Sequence, residues 1–370
     1  MFFRKISFLS LTCLLLVNQG FTQSVSDKKA RKYSNEFLAI GVGARALGMS
    51  NASITSVNDV TAGYWNPAGL LEIESNLAVG LMHSEYFAGI AKYDYGAIAT
   101  PIDSNSALGL SFIRFGVDNI PNTTELIDSE GNVDYSRISS FSAADYAFLV
   151  SYARKLGVPG LRIGANVKVI HRRAGDFAKS WGFGLDAAAK YDYKKWKFAA
   201  MARDVSSTYN AWSFDLSDEM KTTFIQTGNE IPENSVEITM PRLIIGVARE
   251  EVIKEKIYIL AEVDADFTFD GKRNVVVSGD PISIDPHLGV EISYDKIVFL
   301  RGGVGNIQKV KSDIGSRSIT TFQPNFGVGL NIKPLSLTID YAFTDIGDQS
   351  VALYSHVFSL KFDFYKQPIN

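Results

Sequence analysis

Cysteine is almost missing: Cys13, the only one, lies in an N-terminal apolar run, so the rest of the 370-residue chain has no disulfide and no thiolate for zinc or an iron–sulfur cluster. Thiol-based catalysis is excluded. Histidine is scarce, with four residues, and 11 prolines are too few for a low-complexity chain. There is no surplus of positive charge. The 37 basic side chains are set against 40 acidic ones, and two of the bases, Arg4 and Lys5, sit at the extreme N-terminus. That balance argues against a nucleic-acid partner. Past residue 22 no run of about 20 apolar residues occurs, so no spanning helix is expected.

What is present starts with an address. Arg4 and Lys5 precede the apolar run Ile6 to Val17, which is too short to cross a bilayer and has the length of a signal-peptide core. Gly20-Phe21-Thr22 then predicts cleavage before Gln23 and export of the remainder. Three segments follow from this reading: a signal peptide over 1–22, an N-terminal extension and lumen plug over 23–74, and a barrel over 75–370.

Beyond residue 74 the apolar residues alternate. Trp181, Phe183, Leu185 and Ala187 oppose Gly182, Gly184 and Asp186, and Leu337, Ile339, Tyr341 and Phe343 oppose Thr338, Asp340 and Ala342. Period two is the mark of strands and is incompatible with a helical stripe. Dividing the chain at its Gly, Pro, Asn and Asp clusters predicts fourteen strands between residues 75 and 364, among them 196–204 and 241–249. Every connection longer than eight residues falls at an odd position, the longest being 205–240, and all the even ones are seven or fewer. An all-β, antiparallel transmembrane barrel has this split, with both termini and the short turns in the periplasm and the long loops outside. A soluble sandwich has no reason to separate its loops this way.

Residues 34–74 lack alternation and are rich in Gly and Ala, and a lumen enclosed by about fourteen strands is wide enough to need filling. The segment therefore reads as an internal plug or hatch. Its Gly41-Val42-Gly43-Ala44-Arg45-Ala46 matches a loose dinucleotide fingerprint, but the hairpin-connected strands that follow provide no βαβ unit to hold a nucleotide.

Glu36 to Met49, including Gly41, Gly43, Arg45 and Gly48, together with Asn58-Asp59 and Tyr64-Trp65-Asn66-Pro67-Ala68-Gly69-Leu70, resembles the N-terminal signature of the PorV/PorQ family. That family belongs to the FadL-like outer-membrane barrels and is found in Bacteroidota. The resemblance implies a fourteen-stranded barrel in the outer membrane, with a hatch whose Asn-Pro-Ala motif is Asn66, Pro67 and Ala68. It also implies a part in type IX secretion, with the partners being secretion-system proteins or the C-terminal signal domains of cargo. Read physically, Pro67 fixes φ, Asn66 can cap through its side chain and Gly69 accepts positive φ, so a rigid turn is expected.

For catalysis the chain offers His83, His171, His287 and His356, none with a Ser two residues away on the same strand face. An enzyme is not expected, although a cross-strand Ser–His pair would leave a lipid deacylase as a minor alternative. Asp128 to Asp134 carries oxygens suited to calcium without full EF-hand spacing and reads as a solvated acidic loop; no metal or cofactor is expected. Charged residues alternate towards the lumen: Arg162, Lys168, Arg172 and Lys190 on one side, and Glu262, Asp264, Asp266, Glu291 and Asp340 further round. They read as a salt-bridge network holding the plug. Asp340→Asn is expected to cost little unless such a bridge holds it.

Two function classes compete. A secretion partner would present the loops 117–142 and 205–240 to another protein, whereas a FadL-like transporter would pass hydrophobic small molecules and need an apolar path beside the plug. The inward faces assignable from the sequence are polar, which favours the partner.

Overall fold

The computed structural model describes residues 34–123, 126, 131–311, 318–344 and 354–365. The signal segment and Asp128 to Glu130 lie outside the described residues. The strands are β1 Leu77–Tyr86, β2 Ala91–Asp103, β3 Ser106–Asn122, β4 Ser139–Lys155 and β5 Leu161–Ala174. They continue as β6 Ala178–Tyr193, β7 Trp196–Arg203, β8 Thr208–Phe214, β9 Ser235–Thr239, β10 Arg242–Ile253 and β11 Ile257–Thr268. The last are β12 Ser283–Tyr294, β13 Val298–Lys311, β14 Ser318–Ile332, β15 Leu337–Thr344 and β16 Ser355–Phe364. All pairings are antiparallel, β1 pairs with β16, and pairing of β5 with β6 closes the ring.

Sixteen strands fill fourteen positions of the barrel. β7 and β8 share one edge of β6, β7 along Ala187–Tyr193 and β8 along Ala178–Phe183. β10 pairs with β7, and β9 with β8. Each couple is thus one wall strand interrupted midway, by Asp204–Ser207 in the first and Met240–Pro241 in the second. This corrects the expected loop over 205–240: its two ends are wall, and only 215–234, with the helix Asp218–Gln226, connects them. The sequence hid this because the interruption breaks the alternation. Asp204 and Ser207 take positive φ, and a bulge of this kind leaves residues unpaired on the bulged strand.

The wall is inside out relative to a soluble protein. On β6 Trp181 is 57% exposed and Phe183 52%, while Asp186 is 4% and Lys190 1%. Water-soluble sheets bury the reverse set, whereas a barrel in lipid turns its apolar band outward and keeps charges in the lumen. Short turns connect one rim. At β12–β13 both Asp295 and Lys296 take positive φ, a pairing whose twist matches that of flanking strands.

The N-terminal segment fills the lumen with the helices Ala44–Gly48 and Ala62–Trp65 and the 3₁₀ turns Glu36–Ala39 and Pro67–Glu72. The barrel's first and last strands meet at the short-turn rim, where the Asn76 N–H donates to the Phe364 carbonyl. The first described residue of the plug lies elsewhere. Ser34 donates to Glu237 of β9 at 3.2 Å and accepts from Asn210 of β8 at 2.9 Å, so from Ser34 onward the segment runs down the lumen from the long-loop half.

Candidate functional site: the plugged lumen

Charges tie the plug to much of the wall. Arg45 meets Glu291 of β12, which also accepts from Arg301 of β13 at 2.6 Å. Arg301 reaches Asp340 of β15 at 2.7 Å, Lys361 of β16 meets Asp340 at 3.1 Å, and Lys361 returns to Asp59 of the plug at 2.8 Å. Six alternating charges thus begin and end on the plug. Burial pushes the Asp59 carboxyl up, but Lys361 and Arg45 outweigh it and hold it below the usual carboxylate range.

Across the lumen, Glu72 at the end of the Pro67–Glu72 turn faces Arg162 of β5 at 3.2 Å, Lys190 of β6, and Lys197 of β7 at 3.9 Å. Glu262 and Asp264 of β11 make no ion pair with the plug. They cap its backbone instead: Asp264 accepts from the N–H groups of Ser53 and Ile54, Glu262 from those of Thr55 and Ser56. Lys168 is buried between Asp186 at 2.8 Å and Asp204 at 2.6 Å, where it anchors the bulge in the seventh wall strand. Arg172 joins Asp145 and Glu237. Asp266 pairs with Arg242 at 3.4 Å.

The Asn-Pro-Ala turn is built into this packing. Asn66 Oδ1 accepts from the Ala68 N–H at 3.1 Å, while its Nδ2 donates to the Ile54 carbonyl at 3.1 Å and the Ala189 carbonyl at 3.4 Å. Pro67 and Ala68 press on Gly164 of β5, where a Cβ would lie 2.4 Å from the Ala68 nitrogen. Gly69 does not take the expected positive φ; a Cβ there would meet the Val57 carbonyl at 2.6 Å, so the requirement is close approach, not handedness. Positive φ falls at Gly41 and Gly43. Gly48 packs on Gly327 of β14, and the Trp65 indole N–H donates to the Val42 carbonyl at 2.8 Å. Sequence reasoning missed Arg203 of β7, whose guanidinium stacks on Tyr64 with its carbon 4.4 Å from the ring centroid. It also donates to the Leu38 carbonyl.

One sector of the lumen differs. The inward residues of β1–β4 include Met82, Tyr86, Tyr93, Tyr95, Ile113 and Leu149, all buried in one cluster with the plug's Leu47, Val57, Val60 and Leu70. The expectation of polar inward faces is therefore corrected: it fails on β1–β4, where short small-residue alternations concealed the apolar face, while from β5 to β16 charged residues line the lumen beside single buried apolar ones such as Ile170, Met201 and Ile244. Among the described residues, the plug's ion pairs go to β5, β6, β7, β12, β16 and Arg273, and none to β1–β4. The seam there is closed by packing and by single hydrogen bonds such as Tyr95 Oη to the Val60 carbonyl at 3.3 Å.

Two cavities flank the plug, about 410 Å³ on the long-loop side and about 350 Å³ on the short-turn side. The histidines have partners other than a serine hydroxyl: His83 meets Asp94 at 2.7 Å, His171 stacks on Trp181, His287 meets the Ser50 carbonyl at 2.9 Å, and His356 meets the Tyr341 hydroxyl at 2.7 Å.

Neither a protein-family model nor a curated protein sequence matches the chain. Solved structures do. The CymD monoaromatic hydrocarbon channel is similar at a TM-score of 0.55 and 13% identity, over 88% of this chain and 98% of its own. The Ralstonia pickettii toluene transporter TbuX gives 0.54 and 13%, over 88% and 99%, and a Pseudomonas aeruginosa FadL homologue 0.50 and 12%, over 88% and 98%. The fold is that of the FadL-type barrels. Of these three, CymD is a hydrocarbon channel and TbuX a toluene transporter.

Proposed function

We propose that the protein is an outer-membrane channel through which small, largely apolar molecules pass beside the plug. The observation that carries this reading is the apolar sector β1–β4, four consecutive strands to which the plug makes no ion pair among the described residues. A seam closed by dispersion and a few hydrogen bonds opens at lower cost than one closed by buried ion pairs, whose rupture leaves uncompensated charge. An apolar passenger can replace the plug's contacts along that seam, while water and ions gain nothing from it. The CymD and TbuX likeness, to a hydrocarbon channel and a toluene transporter, supports the same direction.

The type IX secretion reading rests on the resemblance of Glu36 to Met49 and Tyr64 to Leu70. Both segments are packed within the lumen, so the resemblance reports how a plug is built more directly than how a partner is bound. The deciding experiment compares a gene-deletion strain with its parent. Slower uptake of a small, largely apolar compound such as 3-phenylpropanol, with an unchanged set of surface-attached proteins, is the expected result. Normal uptake with altered surface proteins would transfer the assignment to secretion.

A further inference from the structure

The long-loop cavity is amphipathic in a specific way. Its floor is the apolar top of the plug, formed by Ile40, Leu47, Ile54 and Trp65. Its wall, from β13 to β15, presents Gln308, Gln323, Asn325 and Thr344. Three arginines and three carboxylates also line it: Arg242 meets Asp266, Arg273 meets Glu36, Arg203 stacks on the Tyr64 ring with its Nε unpartnered among the described residues, and Asp285 lies beside His287 at 3.9 Å with its Oδ1 likewise unpartnered. The formal charges balance, so the cavity exerts little net pull on an ion. Beside this balanced set of charges stands neutral hydrogen-bonding capacity. Gln323 Nε2 and Thr344 Oγ1 are buried and have no hydrogen-bond partner among the described residues. An amide N–H donates, and a hydroxyl both donates and accepts. Leaving such groups unmatched is costly, so a ligand that completes them is favoured.

We propose that this cavity is a selective vestibule for uncharged amphiphiles: molecules with an apolar body for the plug's floor and a hydroxyl or comparable neutral head for Gln323 and Thr344. The proposal rests on the channel reading and names its substrate class. A bare hydrocarbon leaves the two polar groups unmatched. A carboxylate brings a charge into a cavity whose formal charges already balance, and it must shed its hydration to enter. A volume of about 410 Å³ accommodates a small aromatic or short-chain compound.

The test uses three probes with one body: 3-phenylpropanol, 3-phenylpropanoate and propylbenzene, titrated against the full mature protein in phosphatidylcholine nanodiscs and followed by ligand-observed NMR. The alcohol is expected to bind about fivefold or more tightly than either of the others, the difference that one hydrogen bond supplies. Gln323→Leu and the nearly isosteric Thr344→Val should each shrink that preference, with circular dichroism confirming an intact barrel. Equal or tighter binding of the carboxylate, or a preference unchanged in both variants, overturns the proposal. Flux of the same probes into protein-containing liposomes is read separately: absent flux with the alcohol preference intact counts against the channel, whereas flux without the preference counts against the vestibule.

Discussion

Arg45 of the plug grips Glu291 of β12 through two parallel hydrogen bonds, Nε to Oε2 at 2.9 Å and Nη2 to Oε1 at 3.2 Å. The planar fork of the guanidinium matches a carboxylate only in this arrangement, so the contact fixes orientation as well as distance. Glu291 is in turn held by Arg301, and the plug's position at one side of the lumen follows from residues that the wall has already ordered.

Removing one partner of that pair should loosen the plug. Arg45→Met leaves Glu291 with one cation instead of two, and breaking a buried pair costs about 3 to 5 kcal/mol. Conductance in planar bilayers is expected to rise above that of the wild type. The double variant Arg45→Met with Glu291→Met should recover much of the loss, since an apolar pair leaves no charge stranded.

The two faces of β15 should respond in opposite chemistry but with comparable size. Ile339 faces outward, and Ile339→Arg should cost about 2 to 4 kcal/mol near the bilayer midplane. Asp340 is fully buried between Arg301 and Lys361, so the condition attached to it in the sequence, that a bridge would make it intolerant, is met. Asp340→Asn leaves Arg301 and Lys361 each with one carboxylate instead of two and should cost about 3 kcal/mol. Unfolding in urea from lipid vesicles measures both; tolerance at position 340 would mean that the chain of charges contributes little.

Acid should release the plug only at low pH. Because Asp59 is held below its ordinary value when folded, its contribution is fully present above the unfolded value, about 3.9, and is lost as pH falls through the lower folded value. Protection factors of the plug amides, exchange rates corrected for their intrinsic pH dependence, should therefore stay level from about pH 8 to 5 and fall only below about pH 4. Loosening near pH 6 would point to a histidine instead.

Deleting residues 36–71 should turn a poorly conducting protein into an open pore, because fourteen strands enclose more space than side chains fill. Single-channel recordings decide this. A deletion that folds and remains closed would place the barrier in the loops.

Orientation is tested with inserted tags. One near Asn229, in the connection 215–234, should be reached by antibody on intact cells, and one at the tight turn of Asp295 should not. The reverse would invert the topology.

Much of the wall was legible because it is written locally. In a barrel the inward and outward faces alternate residue by residue, so Trp181, Phe183, Asp186 and Lys190 declared their sides without reference to any distant contact. The short turns and long connections likewise declared the two rims. Where the alternation breaks, at Asp204–Ser207 and Met240–Pro241, the sequence lost the wall, and β8 and β9 were read as loop. The apolar sector escaped for a related reason: small residues on β1–β4 give a weak pattern, and only the plug's Leu47, Val57 and Val60 opposite them make it a sealed surface.

The sequence by itself determined that this chain makes a closed antiparallel barrel with charges turned inward and a plug before the first strand. Only the tertiary structure decided which charges meet, at which end of the lumen Ser34 sits and, among the described residues, which strands the plug leaves without an ion pair. The physical reason is ring closure. It brings Asp59 to Lys361 across 302 positions of sequence, and no period, motif or spacing along the chain encodes which of many inward lysines that carboxylate will find.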